Sequence, residues 1–147
     1  MPLSAYLHTV DLCVLFYCRA AGELKLLLNK RDTEPFAGHW ALPGVVVNGD
    51  VQDLSLTDAV ERLRASDKVG LDLVWSEQVG TVGDAFRDPR CWSSSTFYLA
   101  IIADEVTLSE HQAWFSLDAV ADGRIKLPFD HNTIVAAVHE RLLSKSL

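Results

Sequence analysis

Three arginines stand in segments with the composition of loops, and their side chains could bind an anion. Arg31 follows an apolar run, while Arg87 and Arg90 flank Asp88-Pro89 in a polar stretch. A guanidinium group matches the oxygens of a phosphate in a bidentate way, so these residues and their loop are candidate ligand contacts for a diphosphate. The segment from Arg87 to Arg90 is equally compatible with a rigid turn whose charges pair with each other.

Two tryptophans near these arginines in the sequence offer flat apolar faces. Trp40 lies in a Gly-His-Trp segment, and Trp92 lies two residues after Arg90. An aromatic side chain in a loop could stack on an adenine ring or a ribose, which makes both residues candidate ligand contacts. Each would also fit as a lid over the edge of the core, and for Trp40 we favour that structural role.

Acidic residues of one predicted helix are candidate metal ligands. Between Asp53 and Lys68, apolar residues recur at spacings of three and four, which predicts an amphipathic helix. On this helix Asp58 and Glu61 stand one turn apart and could share a divalent cation. Arg64 occupies the next position on the same face and repels a cation. The other interpretation is a solvated face with local charge pairs.

The elements that must position these residues follow a mixed α/β pattern. The runs Val10–Tyr17 and Leu24–Leu28 are rich in strand-forming residues around the turn Ala20-Ala21-Gly22, which predicts a hairpin. Further strands are predicted at 45–47, 71–82, 94–102 and 110–115, and helices at 116–120 and from Asp130, a suitable N-cap, onward. Because helices separate groups of strands, we expect an α/β fold with a mixed sheet between helices.

Composition indicates which kinds of partner and which cellular location to expect. The 147 residues suit a single domain, 1–147, and the net charge of −7 lacks the basic footprint of a nucleic-acid-binding protein. We therefore expect a small-molecule or protein partner. No apolar run approaches the roughly 18 residues of a membrane span, so no membrane partner is expected. Three cysteines without C-x-x-C spacing are typical of reduced thiols, which favours a cytoplasmic location.

The segment Gly38-His-Trp-Ala-Leu-Pro-Gly44 and the helix after it resemble the Nudix hydrolases. Their box, G-x5-E-x7-R-E-U-x-E-E-x-G-U, often follows G-x-W-x-L-P-G-G. One branch is more similar still, the ligand-binding domain of the NrtR regulators of bacterial NAD metabolism. That resemblance rests on three blocks in the same order, Thr9 to Leu12, Thr81 to Trp92 and Leu127 to His131.

The resemblance implies a Nudix α/β/α sandwich that is often a homodimer. Its cleft would take a nucleoside diphosphate linked to another moiety, with ADP-ribose the leading candidate. The NrtR regulators carry a winged-helix DNA-binding domain after this point. Here the sequence ends at Leu147, so we expect no direct binding of nucleic acid.

The Nudix box of this chain has lost most of its acidic residues. With Arg62 as the motif arginine, Leu63 replaces the first glutamate, Ser66 and Asp67 replace the paired ones, and one extra residue precedes Gly70. By resemblance, Asp67 is the remaining catalytic candidate. Because box glutamates share divalent cations, a depleted box argues for binding over cleavage.

The resemblance implies Asp67 as a metal ligand, with Asp50 or Asp53 for the outlying glutamate, and Glu61 is a further candidate from the acidic face of the helix. Mg²⁺ is the expected cofactor if the protein is an enzyme, and otherwise none is expected.

Three functional hypotheses follow. The first is a domain that binds an ADP-ribose-like nucleotide with weak or no hydrolysis. The second is an active, divergent Mg²⁺-dependent Nudix pyrophosphatase that cleaves ADP-ribose or a related nucleotide. The third is a protein-interaction module on a Nudix scaffold, since fold does not determine function.

Overall fold

The computed structural model describes residues 5–50 and 52–145. The chain forms seven strands and three helices in this part, namely β1 (Tyr6–Cys18), β2 (Glu23–Lys30), β3 (Trp40–Ala41), β4 (Gly44–Val46), α1 (Leu56–Ala65), β5 (Trp75–Asp84), β6 (Trp92–Ile101), β7 (Gln112–Ser116), α2 (Leu117–Ala121) and α3 (His131–Lys145). None of these helices combines the length and the apolar character needed to cross a membrane.

All seven strands belong to one mixed sheet with β1 at its centre. β1 pairs antiparallel with β2, as the predicted hairpin requires, and parallel with β6, from Tyr6 opposite Trp92 to Leu15 opposite Ile101. β5 continues the sheet antiparallel to β6, and β7 pairs with β2. The short strand β4 lies against the first half of β1, with Asp11 opposite Gly44.

Alternate side chains of β1 enter two separate cores. Leu12 and Val14 pack with Leu63 of α1 on one face of the sheet, whereas Leu15 packs with Ile134 of α3 on the other. This alternation follows from the two-residue period of a strand. The prediction of an α/β fold with a mixed sheet between helices is therefore confirmed.

Helix α1 is shorter than the sequence predicts. The segment Asp53–Lys68 was expected to be helical, but the helix covers only Leu56–Ala65. Ser55 caps its start by accepting a hydrogen bond from the backbone of Asp58, and at Ser66 the backbone turns extended, with ψ of 170°. The hydroxyl of Ser66 donates to the Leu63 carbonyl at 2.7 Å, a local bond that competes with continued helix.

Two other expectations differ from the structure in detail. The strand predicted at 71–82 is observed as Trp75–Asp84, because 71–74 lie outside the sheet ladder. Asp130 does precede the last helix, but both of its carboxylate oxygens accept hydrogen bonds from Arg87. The side chain expected to cap α3 thus joins the helix to a distant loop.

Candidate functional site: a cationic cleft

A cleft of about 400 Å³ opens beside β4, between the end of α1 and the loops that follow β2 and β5. Its volume lies within the usual range for small-molecule sites. This cationic cleft is lined by five basic residues and four acidic ones, namely Lys30, Arg31, Lys68, Arg87 and Arg90, and Asp11, Asp32, Asp67 and Asp88. Five of these nine were candidate site residues in the sequence, namely Arg31, Asp67, Arg87, Asp88 and Arg90.

Arg31 leaves β2 at the rim of the cationic cleft. Its Nε donates to the carbonyl of Pro35 at 2.7 Å, and its guanidinium carbon lies 5.1 Å from the centre of the Phe129 ring. Partial burial lowers the pKa of Arg31, and repulsion from Arg90 lowers it further. The charge of Arg90 therefore disfavours the charged form of Arg31, whereas nearby aspartates favour it.

Arg90 belongs to a self-paired turn and still reaches solvent. Its Nε and Nη2 donate to the two carboxylate oxygens of Asp88 at 3.0 and 2.8 Å. The Asp88 side chain is only 4% exposed, whereas that of Arg90 is 44% exposed. One edge of the guanidinium is therefore fixed by Asp88, and the rest of the group is open to a ligand.

Arg87 is held by the protein more completely. Its Nε and Nη2 donate to the carboxylate of Asp130 at 3.0 and 2.7 Å, and its Nη1 donates to the hydroxyl of Ser93 at 2.8 Å. The side chain is only 4% exposed. All three nitrogens thus have protein partners, so Arg87 mainly ties the loop after β5 to the start of α3. Its contact with a ligand stays a prediction.

Lys68 is a cleft cation that sequence reasoning missed, and Lys30 is another. The ammonium of Lys68 donates to the carbonyl of Gly44 at 2.6 Å. On a helix running through residue 68 it would have been an ordinary surface lysine, but the early end of α1 turns it into the cationic cleft. The sequence signal that could have revealed this is the extra residue before Gly70.

The predicted metal ligands Asp50, Glu61 and Asp67 do not converge. Glu61 is bound by both ends of the Arg64 guanidinium, at 2.8 and 2.6 Å, on an exposed face of α1. Asp50 lies in the turn after β4, and of the three only Asp67 lines the cleft. Within 5–50 and 52–145, no three His, Cys, Asp or Glu side chains come together in a way that could hold a metal ion.

Both candidate tryptophans lie outside the cleft lining. Trp40 packs against Phe115, with ring centres 5.3 Å apart, in the structural role favoured above. Trp92 is 46% exposed and packs against Tyr6 at 5.4 Å. The aromatic ring that does line the cleft is that of Phe129.

The inner wall of the cleft carries a buried polar network. Asp11 accepts hydrogen bonds from Ser95 at 2.5 Å and from Thr9 at 3.0 Å. Nδ1 of His131 accepts the backbone N–H of Leu42 at 3.1 Å, so Nε2 carries the proton of the neutral ring and lies 3.9 Å from Asp11. Burial lowers the pKa of His131, although Asp11 opposes that shift.

Comparison with known proteins shows which family the chain belongs to. No family model matches the chain. The Nudix domain of Shewanella oneidensis NrtR, solved in complex with ADP-ribose, is 32% identical and superposes with a TM-score of 0.80, covering 95% of this chain and 90% of that domain. The chain belongs to the Nudix family.

Two longer Nudix proteins are similar over the same region. The ADPR-responsive transcriptional repressor NtrR of Acinetobacter baylyi is 34% identical over 145 residues, which is 95% of this chain and 56% of that protein. Shewanella oneidensis NrtR in complex with a 27mer DNA is 32% identical with a TM-score of 0.82, and the match covers 95% of this chain and 63% of that one. The chain thus spans less than two thirds of these relatives.

Of Asp50 and Asp53, the two alternatives for the outlying glutamate of the Nudix box, Asp53 is the one that contacts the motif arginine. Asp53 is buried and accepts two hydrogen bonds from the motif arginine Arg62, at 3.1 and 2.7 Å. These bonds hold the pKa of Asp53 below its usual value. Leu63, at the position of the first box glutamate, is fully buried in the core between α1 and the sheet. These box residues therefore stabilise the fold, and they do not form a set of ligands that fits a divalent metal ion.

Proposed function

We propose that this Nudix domain binds a nucleoside diphosphate linked to another moiety, with ADP-ribose the leading candidate, and that it hydrolyses this ligand weakly or not at all. The Shewanella domain crystallised with ADP-ribose supports the choice of ligand, because its similarity extends over nearly the whole chain. The Acinetobacter relative, described as ADPR-responsive, supports the same choice.

The observation that carries the proposal is that Arg31, Lys68 and Arg90 line one cleft of an acidic protein. Desolvation lowers the pKa of Arg31 and of Lys68, and the charge of Arg90 on Arg31, and of Arg31 on Lys68, lowers each pKa further. Like charges brought together in this way favour an anion between them, since the anion removes the repulsion. A diphosphate carries the charge and the spaced oxygens to meet several of these groups at once.

The same region argues against efficient hydrolysis. Nudix hydrolases rely on divalent cations to activate the attacking water. In this chain, two of the acids of α1 and its approach are paired with arginines, Glu61 with Arg64 and Asp53 with Arg62. Asp67 is left without two further carboxylates to share a cation in the described part of the chain.

The test is calorimetric titration with ADP-ribose, with and without Mg²⁺, together with chromatographic detection of AMP and ribose 5-phosphate. We expect saturable binding and little product over hours. Ligand at about 100 times its Kd should also raise the free energy of unfolding by about 2.7 kcal/mol. Absence of binding by ADP-ribose and related dinucleotides would favour the interaction-module hypothesis. Rapid product formation that Asp67→Asn abolishes would favour the pyrophosphatase.

Arg90→Ala measures the contribution of the cleft loop to affinity. Loss of a charge-assisted contact to phosphate should weaken binding by about 10-fold or more. Arg124→Ala is the matched control, because Arg124 is an exposed arginine paired with a near neighbour, Asp122, and does not line the cleft. Equal affinities for the two variants would place the ligand elsewhere.

A homodimeric state and a cytoplasmic location stay predictions. Light scattering after gel filtration would measure the mass of the particle against the 16.3 kDa of one chain. A mass near twice that value is the expected result.

A further inference from the structure

We propose that the ammonium of Lys68 takes the place of the divalent cation at the diphosphate, so that this domain binds its nucleotide without metal. This inference rests on the proposed function and adds the cation that the emptied Nudix box lacks. Four features of the chain support it: the turn that ends α1, the contacts that hold the turn, the charge around Lys68, and a hydrogen-bond acceptor of Asn29 that has no partner among the described residues.

The first feature is the backbone after α1. The chain leaves the helix at Ser66, whose N–H bonds to the Leu63 carbonyl, and Val69 then bonds back to Ser66. Gly70, with φ of +64°, closes the turn with a bond to the carbonyl of Arg64. Glycine suits this position because the left-handed region is costly for residues with a Cβ. Lys68 therefore sits in a short turn between a helix and a closing glycine.

The second feature is a pair of amide side chains that hold this turn from the sheet. Asn29 of β2 and Gln112 of β7 both donate to the carbonyl oxygen of Lys68, each at 2.9 Å. Gln112 also donates to the carbonyl of Val69 at 3.2 Å. With its backbone fixed to two adjacent strands, Lys68 has a defined direction, and its ammonium meets the Gly44 carbonyl at 2.6 Å.

The third feature is the charge around the ammonium. Lys68 as a residue is exposed on the cleft side, yet the protein around its ammonium desolvates it enough to lower its pKa. Arg31 lowers that pKa further, whereas Asp11, Asp67 and Asp32 raise it. An ammonium has three N–H donors, and the Gly44 contact uses one of them. The remaining donors are available to phosphate oxygens.

The fourth feature is an acceptor without a partner. Asn29 lines the cleft, and its Oδ1 is buried without a donor among the described residues. A buried acceptor without a partner is unfavourable. The side chain that positions Lys68 through its nitrogen therefore keeps an unsatisfied oxygen beside the cleft.

An ammonium at this position accounts for binding without cleavage. Like a divalent cation, it neutralises phosphate charge. Unlike a metal ion, it carries no coordinated water whose pKa falls enough to make it a nucleophile. The loss of carboxylates from the box, together with a lysine in the turn, therefore converts a metal-dependent arrangement into a metal-independent one.

The test compares Lys68→Met with Lys126→Met by calorimetric titration with ADP-ribose in EDTA and in Mg²⁺. Lys126 is an exposed lysine outside the cleft lining and serves as the matched control. We expect the parent and the control to bind equally well in EDTA and Mg²⁺. Lys68→Met should bind about 10- to 100-fold more weakly in both, since it loses a charged contact that Mg²⁺ cannot replace.

Three outcomes separate this inference from the proposed function. If the parent binds only with Mg²⁺, or if Lys68→Met binds as tightly as the control, the role of Lys68 is refuted while the ligand stands. If the parent binds no dinucleotide, the proposed function is refuted and this inference with it. Lys68→Gln serves as a second variant should the methionine protein fail to fold.

Discussion

Removal of Asp130 should destabilise this domain far more than removal of an exposed ion-pair partner. Arg87 is 4% exposed on its side chain and donates to both oxygens of Asp130, whose side chain is 23% exposed. Asp130→Ala leaves a buried guanidinium with Ser93 as its remaining partner. Breaking such a pair from one side costs about 3 to 5 kcal/mol, most of it for the uncompensated charge.

The expected shift in melting temperature follows from the size of the chain. An unfolding entropy of about 2.1 cal/mol/K per residue, over 147 residues, gives about 0.3 kcal/mol per kelvin. The melting temperature should therefore fall by about 10 to 16 °C. Asp72→Ala is the control, because Asp72 is fully exposed and its contact with Arg64 is 3.6 Å long. Its loss should cost less than about 0.5 kcal/mol, or under about 2 °C.

Removal of Arg87 and removal of Asp130 should also differ in their cost to the free energy of unfolding. Arg87→Met leaves Asp130 unpaired, but this carboxylate is the more exposed partner and water can solvate it. We expect a cost of about 1 to 3 kcal/mol for Arg87→Met, less than for Asp130→Ala. Calorimetry and urea unfolding at pH 7 measure both values. The reasoning is refuted if Asp130→Ala costs no more than Asp72→Ala, or less than Arg87→Met.

Three further predictions follow from the cleft and its inner wall. Gly44→Ala should cost about 1 to 3 kcal/mol in urea unfolding, because an added Cβ would overlap Asp11 Oδ1 and lie 3.2 Å from the Val10 carbonyl; an unchanged midpoint would contradict this. Because the pKa of His131 is lowered in the fold, it favours stability above the unfolded pKa of about 6.5 and loses that contribution as pH falls. The drop in unfolding free energy from pH 6.5 to 5 should thus be shallower in His131→Gln, and equal slopes would count against it. Millimolar Mg²⁺ alone should leave the melting temperature unchanged, since no described cluster of ligands could hold it; a clear rise would reveal a site.

Much of the fold could be predicted from local patterns. The β1–β2 hairpin was predicted because runs rich in strand-forming residues flank a turn, and each such signal extends over a few neighbouring residues. The fold class followed from the order of these signals. The early end of α1 was not predicted, because the next glycine, a common helix stop, is Gly70, whereas a side-chain bond from Ser66 to Leu63 ends the helix sooner.

The sequence predicted which arginines belong to the candidate site more readily than what each of them contacts there. Arg31, Arg87 and Arg90 all line the cleft, as an anion site would require. Their exposure differs, however, because a partner distant in the sequence binds Arg87, while Arg90 pairs with an aspartate two residues away. A partner two residues away can be recognised in the sequence, whereas a partner 43 residues away cannot.

The sequence by itself determined the family, the sheet and the presence of arginines for an anion, because these depend on residue types and short-range periodicity. Tertiary structure alone decided that Lys68 joins the arginines in the lining of the cleft. Lys68 reaches Gly44 because Asn29 and Gln112, from two separate strands, hold its backbone. Such contacts join residues that are 24 to 44 positions apart. They arise only when the strands pair and the helix ends, so no local pattern contains them.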